Sequence, residues 1–257
     1  MSMPKTILLA FLSSILLAGG CRQEIDAGHE WAGTYWCGDG LGFTFSMTLM
    51  TNHQFEHRWM ACAPPAFITK GTFVFTNGEF HLVFEDKEGD GGVGPCRTYG
   101  LVKWSGRTYL LPGNDVVKFA NAINSGMEPR DSSRGSVFLR SGDEAKRIKG
   151  NPSIPPQYNV YLLKKPIAAE IVSVDGSELC PSRCGWNLKK VLVSLNRGLD
   201  DGLLEGMELY TDSADPLEVT SAQAKTAQAV LTQFDEKEPD PSPGLKLSTS
   251  LFHAVQE

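Results

Sequence analysis

Apolar and polar residues alternate along most of this chain with a period of two, the spacing that predicts half-buried strands. In Phe43-Thr-Phe-Ser-Met-Thr-Leu-Met50, one face collects Phe43, Phe45, Met47 and Leu49. Thr51-Asn52-His53 reads as the turn and Phe55-Glu-His-Arg-Trp-Met60 as the return strand. Residues 33–36 form an earlier strand, followed by the glycine-paced loop Gly38-Asp-Gly-Leu-Gly42. Residues 71–75, 80–84, 98–104 and 108–111 continue the meander, with Asn77-Gly78 and Ser105-Gly106 as hairpin turn signals. Short strands so closely spaced predict a curled sheet or small barrel.

The period then changes to that of a helix. Val116, Phe119, Ala120 and Ile123 recur on one helical face, with Asp115 at the cap and Gly126 at the end. This stripe is expected to cover an open end or edge of the sheet. Residues 137–140 add a strand, and Pro152, Pro155 and Pro156 predict an extended, stiff connector. Residues 168–174, 189–195, 206–210, 217–221, 225–234 and 245–252 read as a second set of strands, with an acidic, proline-rich loop over 235–244. The expected fold is mainly β. An N-terminal antiparallel meander or small barrel with one short helix takes residues 29–150, a connector 151–165, and a second small β-barrel-like domain 166–257.

Composition fits an exported, folded protein. With 41% hydrophobic residues, 257 residues suffice for two small domains behind a leader. The net charge of −6 argues against nucleic acid as a partner, which needs a basic patch, and against electrostatic docking to anionic lipid. Lys5 and the apolar run over 7–17, interrupted only by Ser13 and Ser14, read as a signal peptide over residues 1–20, the run being shorter than the roughly 20 residues of a spanning helix. Ala18-Gly19-Gly20-Cys21 resembles a bacterial lipobox, with Ala18 where leucine is commoner. That resemblance implies cleavage before Cys21, acyl chains (palmitate among them) on its thiol and amine, and attachment to the membrane through lipid, with 21–28 as tether. Arg22, rather than aspartate, implies an outer-membrane address where the cell has one. Simple cleavage to a secreted, soluble protein is the other reading.

Cysteine usage suits an oxidising compartment. Cys180-Pro-Ser-Arg-Cys184 has three intervening residues and is expected to form a structural disulfide loop, not a redox-active pair or half of a zinc site. The hairpin brings Cys62 back toward Cys37, making these the expected second pair, with Cys96 free or paired with Cys62.

The candidate chemical sites compete with plain structural readings. Gly89-Asp-Gly-Gly-Val-Gly94 matches a dinucleotide fingerprint in form, but Pro95 and a strand follow where a helix N-terminus is required. Asp86-x-Glu88-x-Asp90-Gly91 starts like a calcium loop, yet Arg97 occupies the position of the bidentate glutamate, so it reads as a solvated acidic loop. His53 and His57, about 13 Å apart on one strand face, are too distant to grip one ion and read as exposed strand-end residues. Asn121, Asn124, Glu128 and Arg130 form the densest polar cluster. The planar fork of Arg130 suits a carboxylate or glycan, against the reading that these residues merely lock the helix-to-strand turn. No nucleophile, zincin or phosphate-loop motif occurs, so no catalytic residue, metal or cofactor is assigned.

Gly38-Asp-Gly-Leu-Gly42, Asn121-x-Ile123-Asn124-x-Gly126-x-Glu128-Pro129-Arg130 and Leu139-Arg140-x-Gly142-Asp143 together resemble a family of exported bacterial proteins of unknown function. Asn196-x-Gly198-x-x-Asp201-Gly202-Leu-x-x-Gly206-Met207 accompanies them. That segment, entered from the strand at 191–195, is similar to small barrels of bacterial rod-shape and flagellar-assembly envelope proteins. It implies a barrel whose glycines take positive φ, and a role in contacting partners. Gly33-x-Tyr35-Trp36 is similar to the first strand of lipocalin-like barrels, which bind small hydrophobic molecules. The expected function is a non-enzymatic envelope lipoprotein that displays its β modules to an envelope protein partner. The alternative is a binder of a small hydrophobic ligand in a roomy first barrel lined by Trp36, Phe43, Phe45 and Trp59. A third reading is an envelope hydrolase acting through Glu128 and Arg130.

Overall fold

The computed structural model describes residues 29–38, 43–61, 67–85, 95–113, 115–130, 137–181, 187–235 and 237–251. The leader, Cys21, Cys62, Cys184 and the glycine-rich and acidic motifs over 86–94 lie outside them. The described chain is mainly β and forms two closed antiparallel barrels.

The first barrel has eight strands: β1 (Gly33–Gly38), β2 (Phe43–Leu49), β3 (Gln54–Ala61), β4 (Phe67–Thr76), β5 (Glu79–Phe84), β6 (Thr98–Trp104), β7 (Arg107–Pro112) and β8 (Phe138–Arg140). Each pairs with the next, and β8 returns to β1. The tight turns explain this order. Asn77 and Gly78 both have positive φ (53° and 82°), as do Ser105 and Gly106 (49° and 90°), the twist that two-residue hairpins require. Tyr35, Met47, Leu49, Phe55, Phe73, Phe80, Tyr99 and Phe138 fill the interior. Gly71 lets β4 and β5 curve together: a Cβ there would lie 2.0 Å from the Val83 carbonyl oxygen and 2.8 Å from the Phe55 ring.

One end of this barrel is plugged. The Trp31 ring sits edge-on to Phe73 and Phe80, with centroids 5.3 and 5.7 Å away, and its carbonyl accepts from the Tyr35 hydroxyl at 2.7 Å. Arg140 ties this segment down by donating to the carbonyls of Glu30 and Ala32, both at 2.9 Å.

Helix α1 (Val116–Ser125) lies on the outside of the barrel, not over its end. The reason is β7, which is apolar on both faces. Leu110 points inward, while Tyr109 and Leu111 join Val102, Trp104 and Leu139 in an outer cluster that Val116 and Phe119 cover. Gly126 ends the helix at φ 81°, and Asp115 pairs with Lys118 at 3.0 Å in place of a side-chain cap.

The proline-rich connector is packed rather than extended as a spacer. Ser153 donates to the Lys103 carbonyl at 2.8 Å, and Ile154 is buried in the outer cluster. A 3₁₀ turn over Pro156–Tyr161 follows. Tyr158 and Leu162 rest on the first barrel's outer cluster, and Tyr161 and Leu163 on the second barrel's core. Apolar residues between the prolines make standing off in water unfavourable.

The second barrel comprises β9 (Ala168–Pro181), β10 (Asn187–Leu195), β11 (Glu208–Tyr210), β12 (Pro216–Ala222), β13 (Ala227–Gln233) and β14 (Lys246–Ser248), in the order β10-β13-β12-β11-β14-β9. Ile171, Val191, Val193, Leu195, Leu209, Leu217, Val219 and Leu231 fill it. Strand β9 runs on past residue 174, because a register shift between Leu192 and Val193 absorbs Asp175 as a bulge. Among the motif glycines, Gly202 and Gly206 have positive φ (86° and 82°). Gly198 is extended and is required for space, since a Cβ there would lie 2.1 Å from the Gln223 carbonyl oxygen.

Candidate functional site

The polar residues singled out by sequence divide into two groups, and both are engaged by the fold. Asn121 and Asn124 project from α1 toward the second barrel. Asn121 is buried; its amide donates to the Gly206 carbonyl at 2.8 Å, and its oxygen accepts from the Glu208 N–H at 3.3 Å. Asn124 makes the same two-point clasp on the connector, donating to the Tyr161 carbonyl at 2.8 Å and accepting from Leu163 N–H at 3.0 Å. Tyr161 in turn donates to the Glu205 carbonyl at 3.2 Å. The Asn-x-Ile-Asn-x-Gly motif and the Asp-Gly-Leu-x-x-Gly-Met motif therefore meet in space.

Glu128 and Arg130 engage different elements of the first barrel. Glu128 forms an ion pair with Arg107 and accepts from the Tyr109 hydroxyl at 3.0 Å. Arg107 also donates to the carbonyls of Lys146 and Glu144, at 2.8 and 2.7 Å. Arg130 lies over the outer face of Trp36, its guanidinium carbon 4.1 Å from the ring centroid. The Trp36 indole donates to Glu144 at 2.7 Å, so Trp36 faces away from the barrel interior where sequence had placed it. Burial raises the Glu144 carboxyl, but the indole, nearby backbone N–H groups and Arg130 outweigh it and hold the group below its usual range. Asp143, from the Leu-Arg-x-Gly-Asp motif, accepts from the Thr108 N–H at 2.8 Å and pairs with Lys146. These contacts weld segments 126–130 and 141–148 to β1, β7 and β8.

The remaining candidate is the end of the first barrel opposite Trp31. Inward-facing rings stack there: Phe45 on Trp59 (6.4 Å, 18°) and Trp59 on Phe67 (5.1 Å, 16°). Phe67 is 54% exposed; Met60 and Ile68, at 46% and 50%, are exposed on the outer face of β3 and β4 beside it. The Phe43 side chain lies outside the described structure. Among the described residues, Met47, Leu49, Phe55, Phe80, Tyr99 and Phe138 fill the interior where a lipocalin-like ligand binder is expected to leave a roomy cavity.

His57 sits directly beneath these rings. Sequence reading placed it with His53 as an exposed strand-end residue; His53 does occupy the exposed turn, but His57 is 3% exposed inside the barrel. It stacks on Phe45 at 6.0 Å and meets Phe138 edge-on at 6.3 Å. Burial alone lowers its pKa to about 4, so the ring is neutral at pH 7. The signal was present in Phe55-x-His57-x-Trp59, where all three share the inward face of β3.

The expected disulfides do not form. Cys37, Cys96 and Cys180 are free thiols. Cys37 pairs across with Phe45 and Phe45 with Trp59, so β3 runs two strand spacings from Cys37, about 9–10 Å, beyond the roughly 7 Å that a disulfide spans. Cys180 lies opposite Leu188 and donates its thiol to Glu178 at 3.4 Å. Among the described residues, no three His, Cys, Asp or Glu side chains are grouped to hold a metal, and no helix is long and apolar enough to cross a membrane. Grooves of about 550 and 560 Å³ lie on the second barrel, the first over Leu192 and Val230 between Lys190, Glu178 and Glu218. No protein-family model matches the chain, and no curated protein or solved structure shows significant similarity to it.

Proposed function

We propose that this protein is an exported, non-catalytic binding module of the bacterial cell envelope, held by lipid at Cys21, whose first barrel takes an apolar molecule at the aromatic end opposite Trp31. The observation that carries this reading is the Phe45–Trp59–Phe67 stack, inward-facing yet exposed at its rim. Exposed aromatic rings are costly to leave in water, and eight-stranded up-and-down barrels are the architecture in which lipocalins hold small ligands. A non-catalytic role is supported by the occupation of Asn121, Asn124, Glu128 and Arg130 in fold contacts. Titration with a neutral apolar fluorophore, N-phenyl-1-naphthylamine, tests the binding element. Saturable enhancement that Phe67→Asp abolishes supports it, and equal enhancement in both proteins refutes it. Intact mass of the native protein against Cys21→Ser tests the anchor: a triacylated N-terminus supports it, and a simply cleaved chain refutes it.

A second reading, docking of another envelope protein, is favoured by Val74 and Val83, each 58% exposed on the outer face of β4 and β5. Photocrosslinking from position 83 in cells, with a specific adduct or none, decides it.

A further inference from the structure

We infer that the groove on the outer face of the second barrel binds a short extended stretch of another polypeptide, one that carries an acidic, an apolar and a basic side chain at alternate positions.

On β10 and β13, Val191, Val193, Ala229 and Leu231 face the core, so the residues between them face outward. Leu192 and Val230 are among the outward set. They stand side by side in register and form the apolar floor of a groove of about 550 Å³. Gly176 is the partner of Leu192 on β9, and a Cβ there would meet nothing within 4 Å, so no side chain fills that flank. Every residue that lines the groove belongs to the described structure. Covering two half-buried aliphatic side chains removes apolar surface from water, which favours an apolar group seated on them.

Charge marks the two ends of the path. On one side of the floor, Glu218 is the register partner of Val230, and it stands directly opposite Glu208 on the next strand. Like charges facing each other across an antiparallel pair repel, and a cation arriving beside them relieves that repulsion. On the other side, Lys190 lies opposite Glu178, whose carboxylate accepts from the Cys180 thiol at 3.4 Å. Among the described residues, Lys190 and Glu218 form no ion pair. The groove therefore offers an ammonium at one corner, aliphatic side chains in the middle and carboxylates at the opposite corner.

Spacing turns this layout into a sequence pattern. Lys190 and Glu218 are two strands and two residues apart, about 12 Å between their Cα atoms. An extended peptide advances about 13 Å over four residues, with its first, third and fifth side chains on one face. An acidic first residue then meets Lys190, the third falls on Val230 and Leu192, and a basic fifth residue meets Glu218 and Glu208. A polyanion would face three carboxylates against one ammonium and is disfavoured.

NMR titration of the full chain with capped pentapeptides tests this, read at the methyl signals of Leu192 and Val230. Acetyl-Glu-Ser-Leu-Ser-Lys-amide is expected to shift both signals saturably. Lysine at its first position or glutamate at its fifth should each weaken binding about fivefold, the upper scale of one exposed ion pair. Serine in place of leucine should abolish it. Glu218→Lys should reverse the preference at the fifth position from lysine to glutamate, with the remaining signals unmoved as the control for folding. Absence of saturable shifts at Leu192 and Val230 in wild type overturns the inference. So does equal binding of the charge variants, or a preference for lysine that survives in Glu218→Lys.

Discussion

Replacing Asn121 with alanine is the most direct trial of how the two barrels are joined. The substitution deletes one donor and one acceptor. It leaves the Gly206 carbonyl and the Glu208 N–H, now bonded at 2.8 and 3.3 Å, facing a gap in a buried seam. Each unpaired buried backbone group costs about 1–3 kcal/mol, so the pair amounts to about 2–6 kcal/mol, less whatever a penetrating water restores. Asn121→Asp sharpens the test. It keeps an acceptor for Glu208 but turns a second oxygen toward the Gly206 carbonyl oxygen, so it should lose at least as much despite its nearly identical shape. Scanning calorimetry is the assay. Wild type should unfold with the barrels coupled, and Asn121→Ala should resolve into two transitions, with hydrogen exchange rising at residues 206–208 before elsewhere. A loss under about 0.5 kcal/mol with a single unchanged transition would show that the asparagine clasp does not hold the barrels together.

Three further outcomes are expected. Lowering the pH from 6.5 to about 4 should destabilise wild type relative to His57→Phe, because the unfolded chain accepts a proton that the buried ring refuses until about 4. At 1.36 kcal/mol per pH unit the gap from the ordinary 6.5 approaches about 3 kcal/mol, fully felt below pH 4 and absent above 6.5; parallel urea-denaturation curves would contradict it. Gly206→Ala should cost about 1–2 kcal/mol in denaturant titration, since φ is 82° and the new Cβ would stand 3.3 Å from Val117; an unchanged midpoint would argue against that geometry. Cys37, buried and with its thiol pushed up to about 12 by burial, should resist alkylation at pH 7.5 until the barrel unfolds, whereas the half-exposed Cys180, its thiol also held up by desolvation beside Glu178, should react slowly but on the native fold. Peptide mapping that finds both labelled at one rate would refute this.

Much of the fold was legible because strands report themselves locally. The run Phe43 to Met50 needs only its own alternation to be read, and Asn77-Gly78 only its turn chemistry. What escaped depends on partners distant in sequence. Asn121 looks like any polar residue on an amphipathic helix until Gly206, eighty-five positions later, supplies a carbonyl to clasp. Trp36 and Phe45 both read as barrel lining, but β1 turns Trp36 outward onto Arg130 while β2 turns Phe45 inward. His57 was misplaced for a different reason. A histidine between apolar neighbours of the same parity belongs with them, and the polarity of its imidazole obscured that. The Cys37–Cys62 pairing failed on register, since the intervening β2 holds β1 and β3 apart.

The Trp31 plug also sets a direction. The chain enters the first barrel beside the closed end, where Glu30 and Ala32 are pinned by Arg140, and runs from there toward the aromatic end along β1. Between Cys21 and His29 lie seven residues (22–28), which reach at most about 25 Å. An acyl anchor at Cys21 would hold the plugged end toward the bilayer and turn the aromatic end outward. The barrel would then be loaded from the aqueous side, by solutes passing through the surrounding compartment, and not by molecules sliding sideways out of the lipid.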